Sequence, residues 1–264
     1  MRTASATAPS PALLAAAALT VKAGERELVA SLSLELQPGE FIAVLGRNGC
    51  GKSLTLHTLA GLRAPAAGRV ALDGRDLGTL GRTEIARRMA LLPQDREDSL
   101  PLSVFETTLL GRHPHIGWLR GESAGDLRIV SAALMRMGVD HCAERALGTL
   151  SGGEQRRAAM AGLLAQQPTV FLLDEPTNHL DPHHQVDVLL AFRECCAAGA
   201  AVIATLHDPA LAERCADRVL LLQGDGRWRL GSTAELLNAA ELSSLYATPM
   251  HELRGGGRRA FIPA

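Results

Sequence analysis

Eight consecutive residues, Gly46-Arg47-Asn48-Gly49-Cys50-Gly51-Lys52-Ser53, carry the spacing G-x-x-x-x-G-K-S. Glycines so placed let backbone N–H groups close around phosphate oxygens at a helix N-terminus, where the dipole favours anions. Lys52 would reach the β- and γ-phosphates, and the Ser53 hydroxyl would ligate Mg²⁺. The plainer reading is a glycine-rich turn that happens to precede a lysine. An apolar run before the loop (41–45, FIAVL) and a helical pattern after it (52–60) argue for chemistry.

Two further segments could share that chemistry. The apolar run 170–173 (VFLL) ends in Asp174-Glu175. An aspartate at the carboxyl end of a buried strand can hold magnesium, and the adjacent Glu175 is placed to orient or deprotonate an attacking water. Alone, such a pair is more often a solvated strand end; beside a phosphate loop it is chemistry. In Leu150-Ser151-Gly152-Gly153-Glu154, the pattern Ser151-x-x-Glu154 satisfies a capping box. Two glycines in a first turn weaken a helix, which makes sense if bare N–H groups must approach an anion. A second anion-binding helix end in a chain that already has a phosphate loop implies a nucleotide shared between two chains.

The elements that must position these residues follow from periodicity. Residues 31–36 (SLSLEL) alternate as a half-buried strand does, and 41–45 reads as a strand covered on both faces. Residues 90–92, 170–173, 201–205 and 219–222 are further strand candidates, with helical patterns between several of them. This predicts an α/β fold with a mostly parallel sheet around the phosphate loop. From Pro93 to Leu150 the pattern is mainly helical. Ser103-x-x-Glu106 opens a helix, 126–137 is apolar-periodic, and a helical subdomain inserted at about 95–165 is expected. Gly224-Asp225-Gly226 reads as a turn between two strands, and 233–246 as two short helices.

The ends read differently. Residues 1–16 are expected to be a disordered start: their alanine-rich stretch loosely resembles a signal peptide but lacks a convincing cleavage site. Residues 251–264, basic and glycine-rich, read as a surface tail. No stretch approaches the roughly 18 to 20 apolar residues that span a bilayer, so a membrane role would come through a partner.

Composition bounds the rest. The 264 residues carry a formal net charge of −1, which gives no electrostatic case for nucleic acid as a partner. The five cysteines form no C-x-x-C pair, which argues for a reduced environment and against a disulfide scaffold or zinc site. His113, His115, His183 and His184 match no strong metal spacing. The helix end beside Cys50 could lower its thiol pKa and make it oxidisable; a small residue tolerated at a variable position is the simpler reading.

Over residues from about 17 to 250 this set resembles the ATPase subunit of an ATP-binding cassette (ABC) transporter: a P-loop core with N-terminal antiparallel strands and an inserted helical subdomain. The resemblance assigns Gln94 to the glutamine loop that completes the magnesium shell, LSGGE (150–154) to the family signature (usually LSGGQ), Leu180-Asp181 to the dimer-contact loop and His207 to the switch histidine. It implies a head-to-tail homodimer in which Ser151, Gly152 and Gly153 of one copy cap ATP held by Lys52 and Ser53 of the other. Two departures stand out. Ala23 falls where the family usually stacks an aromatic residue on adenine, and Leu54 follows Ser53 where threonine is usual.

A single cassette without fused membrane helices points toward import. The stretch 100–118 (LPLSVFETTLLGRHPHIGW) and the close of the chain resemble subunits that serve metal-chelate importers for siderophore iron, haem or cobalamin. The implied partners are transmembrane permease subunits and a periplasmic or extracellular substrate-binding protein, with the chain peripheral on the cytoplasmic face of the cell membrane. Export, lipid transport and a soluble non-transport cassette stay open as alternatives.

Overall fold

A computed structural model describes residues 11–94, 101–117 and 121–264. An antiparallel sheet is formed by β1 (Leu14–Ala23), β2 (Arg26–Leu36), β4 (Ala67–Leu72) and β5 (Arg75–Asp76), in the order β2-β1-β4-β5. The larger sheet contains β3 (Phe41–Gly46), β6 (Met89–Leu92), β7 (Val170–Leu173), β8 (Ala201–Thr205), β9 (Arg218–Leu222) and β10 (Trp228–Ser232). Its order is β10-β9-β3-β8-β7-β6, parallel throughout except for β10, which runs antiparallel to β9.

The central strands are apolar at nearly every position because each face of the sheet has its own core. Side chains alternate along a strand, and β3 divides accordingly. Phe41, Ala43 and Leu45 enter the core on one side; Ile42 and Val44 enter the core on the other. In β7 the division is Phe171 and Leu173 against Val170 and Leu172. One core is closed by the antiparallel sheet and α1 (Lys52–Leu59), beyond which lies the short α2 (Arg82–Ala86). The other is closed by α3 (Val104–Leu109), α4 (Ala124–Arg136), α5 (Gly152–Gln166), α6 (Pro182–Ala197), α7 (Pro209–Cys215), α8 (Thr233–Leu236) and α9 (Ala239–Tyr246). Helices α3, α4 and α5 pack on one another, and Ser103, Ser123 and Ser151 each cap one with a complete capping box. Residues 95–100 and 118–120, at the edges of the importer-like stretch, lie outside the described residues.

Within the second core, Phe192 of α6 meets Phe171 edge-on, with ring centroids 5.3 Å apart. Both rings are almost wholly buried. Phe192→Ala is therefore expected to destabilise the fold by about 3–5 kcal/mol, measured by denaturant unfolding.

Two expectations about the ends are corrected. The alanine-rich stretch 14–18 lies in β1, paired on one side with β2 and on the other with β4, and Leu14, Ala16 and Leu19 are buried. Alanine's weak strand preference is overridden by pairing on both edges. Residues 1–10 lie outside the described residues. The supposed tail is a hairpin of β11 (Met250–Gly255) and β12 (Arg258–Pro263). Its glycines supply the turn: Gly256 and Gly257 both have positive φ, +57° and +74°, as a two-residue type I′ connection requires. Phe261 is buried, and Arg259 donates to Glu213 of α7 and to the Leu237 carbonyl. No helix among the described residues is long and apolar enough to cross a membrane.

Candidate functional site

The phosphate loop joins β3, buried along its whole length, to α1. Gly49 and Gly51 hold φ of +76° and +102°, a region that other residues adopt only with strain. A Cβ on Gly46 would lie 2.5 Å from the Leu222 carbonyl oxygen and 2.6 Å from the Cys50 sulfur. The loop is thus fixed by β9 beneath it. Lys52 is 5% exposed, and its ammonium donates to the Gly46 carbonyl at 2.8 Å and the Arg47 carbonyl at 3.4 Å. The positive charge is held at the loop by its own carbonyls. The Ser53 hydroxyl lies 3.5 Å from Gln94 Oε1, just beyond the end of β6.

Strand β7 delivers the acids, and β8 delivers Thr205 and leads to His207. Asp174 is fully buried, and its Oδ1 accepts from the Thr205 hydroxyl at 2.6 Å. That hydroxyl accepts in turn from the Glu175 backbone N–H at 2.7 Å. Asp174 Oδ2 has no protein partner. A buried carboxylate oxygen without a partner is costly, and its place at the end of β7, one strand removed from β3 in the same parallel sheet, suits a cation. Glu175 adopts φ +48°, uncommon for a residue with a side chain, and its carboxylate is almost wholly buried. Oε1 lies 2.7 Å from His207 Nε2, and Oε2 accepts from the Asn178 amide. In this arrangement the Glu175 carboxylate and the histidine hold each other.

The signature lies on a different surface. Ser151 caps α5: its hydroxyl accepts from the Glu154 N–H, while Glu154 Oε2 accepts from the Ser151 N–H at 2.8 Å and its hydroxyl at 2.7 Å. Those two donations hold the Glu154 carboxyl down to about 2. Ser151, Gly152, Gly153, His179, Leu180 and Asp181 line one groove of about 470 Å³, and no residue of the phosphate loop is among its lining. Asp181 caps α6 by accepting from the His184 N–H, with His184 Nδ1 at 2.7 Å from Oδ2.

The structure therefore brings Lys52, Ser53, Gln94, Asp174, Glu175 and His207 to adjoining strand ends and sets Ser151, Gly152, Gly153 and Asp181 apart. Ala23 is exposed at the end of β1, at the turn into β2. Leu54, half-buried, packs against the core beside α1.

Cys50 departs from the redox possibility. It is 3% exposed, and Gly224 passes so close that a Cβ there would lie 2.8 Å from its Cα. Burial raises its thiol pKa despite Lys52 and Arg47 nearby. Its side chain belongs to the core beneath the loop. Treatment of the native chain with iodoacetamide is expected to leave Cys50 unmodified by mass spectrometry and nucleotide turnover unchanged.

Three residues were missed by sequence reasoning. Arg156, buried in α5, donates to the carbonyls of Pro93, Gln94, Asp174 and Glu175. It ties the signature helix to the glutamine and to the carboxylate strand. Its signal was a charge two residues beyond LSGGE on a helix whose flank (158–161) is apolar. Thr205 and Asn178 orient the two acids, and neither has a sequence signal beyond proximity to a motif.

Comparison with known proteins agrees with this geometry. A family model described as ABC transporter matches residues 29–178. The hemin import ATP-binding protein HmuV of Pseudomonas entomophila is 42% identical over 233 residues, covering 86% of this chain and 90% of that one. The petrobactin import ATP-binding protein FpuD of Bacillus anthracis is 36% identical over 254 residues, covering 91% and 93%. A solved structure described as an inward-facing ABC transporter of metal-chelate type superposes with TM-score 0.82 at 27% identity, covering 96% of this chain and 98% of that one.

Proposed function

Because this chain belongs to the ABC transporter family, as an ATP-binding subunit of the kind that hydrolyses ATP, we propose that it powers import of a metal chelate through a separate membrane permease. Hemin and petrobactin are the cargoes named for relatives that align along nearly the whole chain. The likeness extends to the structure of metal-chelate type, which covers 96% of the chain.

One observation carries the catalytic reading: Glu175, a nearly buried carboxylate, faces His207 at 2.7 Å at the ends of strands β7 and β8, in the same parallel sheet whose strand β3 leads into the phosphate loop. In our reading, Lys52 and the loop N–H groups of Gly46, Arg47, Asn48, Gly49, Cys50 and Gly51 hold the phosphates of ATP. Ser53, Gln94 and Asp174 Oδ2 are oxygen donors of the type Mg²⁺ takes, and they would hold it there. The bound ion would neutralise charge on the phosphate oxygens. Glu175 takes a proton from the attacking water, and His207 donates to the γ-phosphate. For that, His207 must leave Glu175, so hydrolysis requires the pair to open. Ser151, Gly152 and Gly153 of a second copy close the site from the other side, with Asp181 at the contact.

We place the chain on the cytoplasmic face of the membrane, with two permease subunits and an external substrate-binding protein in the full assembly. The ATPase domain runs from β1 at Leu14 through the closing hairpin at Pro263, with the helical subdomain of about 95–165 moving against the rest as the permease gates. Reconstituting the chain with its permease in liposomes and offering hemin, ferric siderophore and cobalamin tests this. ATP-driven accumulation of one of the three is expected. Transport of none of them, with ATP hydrolysis intact, overturns the cargo class.

A further inference from the structure

Just behind the signature, three different metal-ligating side chains converge. A short 3₁₀ turn (Asp140–Cys142) presents His141 and Cys142 to Glu154 of α5. The Cys142 sulfur lies 3.6 Å from Glu154 Oε1, and His141 Nε2 lies 3.9 Å from the same oxygen. All three ligand atoms fall within 4.8 Å of one another. Zn–S bonds of about 2.3 Å and Zn–N or Zn–O bonds of about 2.0–2.2 Å place tetrahedral ligand atoms roughly 3.3–3.6 Å apart. Only the exposed His141 ring must close slightly.

We propose that His141, Cys142 and Glu154 form a site for a borderline divalent transition ion, best suited to Zn²⁺. One imidazole, one thiolate and one carboxylate are the donors zinc takes, and a fourth position stays open to water. Binding would release the thiol proton to solvent. Glu154 divides its oxygens: Oε2 is committed to the Ser151 cap, and Oε1 faces the cysteine and histidine. The ion can therefore bind without breaking the cap. The carboxylate is already ionised, so no proton competes there. One feature opposes the ion: Arg145 NH1 lies 3.8 Å from the sulfur, although the same guanidinium also donates to the Thr149 carbonyl and can keep that bond while turning away. The sequence expectation of no zinc site rested on C-x-x-C spacing. Residues 141–142 and 154 come together only through the fold.

Zn²⁺ occupancy would tie residues 141–142 to the first turn of the signature helix. The test uses the full chain without nucleotide, so that phosphate does not compete for metal. Titration with Zn²⁺ against a chromophoric chelator is expected to give one ion per chain. His141→Ala and Cys142→Ser should each weaken binding by about tenfold or more, and His183→Ala should leave it unchanged. Co²⁺ substitution should give a thiolate-to-metal charge-transfer band that is lost in Cys142→Ser. His141 is exposed, so His141→Ala keeps the fold even if the cysteine variant does not. No stoichiometric Zn²⁺ binding, binding unaltered in His141→Ala, or a Co²⁺ spectrum without the thiolate band would each overturn the proposal.

Discussion

Glu175→Gln lowers MgATP turnover by about 10²–10⁴-fold, the range expected when a general base is removed. It leaves ATP binding intact. The carboxylate is placed by three independent restraints: a backbone at φ +48°, His207 Nε2 at 2.7 Å from Oε1, and the Asn178 amide on Oε2. Glutamine has the same shape. Its oxygen can still accept from Asn178 and its amide can donate to an unprotonated His207, so the site keeps its geometry and loses only the group that accepts a proton. Phosphate release reads the loss, and an ATP-retaining dimer on size exclusion shows that binding survives. Turnover within a few-fold of the parent chain would remove Glu175 from the role of base and leave His207, or a residue outside the described ones, to take it.

Much of this site could be read from the sequence because its chemistry depends on contiguous residues. A phosphate loop needs glycines, lysine and serine in fixed order, and β3 ahead of it must be apolar throughout because it is covered on both faces. The same logic made 170–173 and 201–205 legible as strands. What stayed hidden depends on approach between distant segments. Thr205 is an unremarkable strand end until Asp174 lies 2.6 Å from its hydroxyl. Arg156 looks like one more charge on a helix until four carbonyls from two loops surround it. The alanine-rich start failed for the opposite reason. Alanine carries weak local preference, so the strand at 14–18 exists only because β2 and β4 pair with it on either side. The closing glycine-rich run was read as a surface tail, whereas the positive φ values of Gly256 and Gly257 make a tight turn. Composition therefore misjudged residues 14–16, read as part of a disordered start, and residues 251–263, read as a surface tail.

The separation of the signature from the phosphate loop leads to the second large effect, in mixtures of two inactive variants. Lys52→Ala removes the ammonium that the loop carbonyls hold in place. Gly152→Asp puts a negative charge where a phosphate must approach. A Cβ there meets only His179 at an ordinary 3.7 Å, and an acid in the first turn of α5 favours the helix, so the fold tolerates it. Each variant alone is expected to lose nearly all ATP hydrolysis, because a symmetric dimer repeats the same defect at both sites. In a mixed dimer, the loop of the Gly152→Asp chain meets the signature of the Lys52→Ala chain, and one site is whole. Random pairing of equal amounts then restores roughly a quarter of the parent's intact sites. Hydrolysis measured before and after mixing decides the matter, with tagged copies purified in tandem to isolate the mixed species. Recovery requires the signature to act in trans. If each site were completed within one chain, both partners in every pairing would still be defective and mixing would restore nothing.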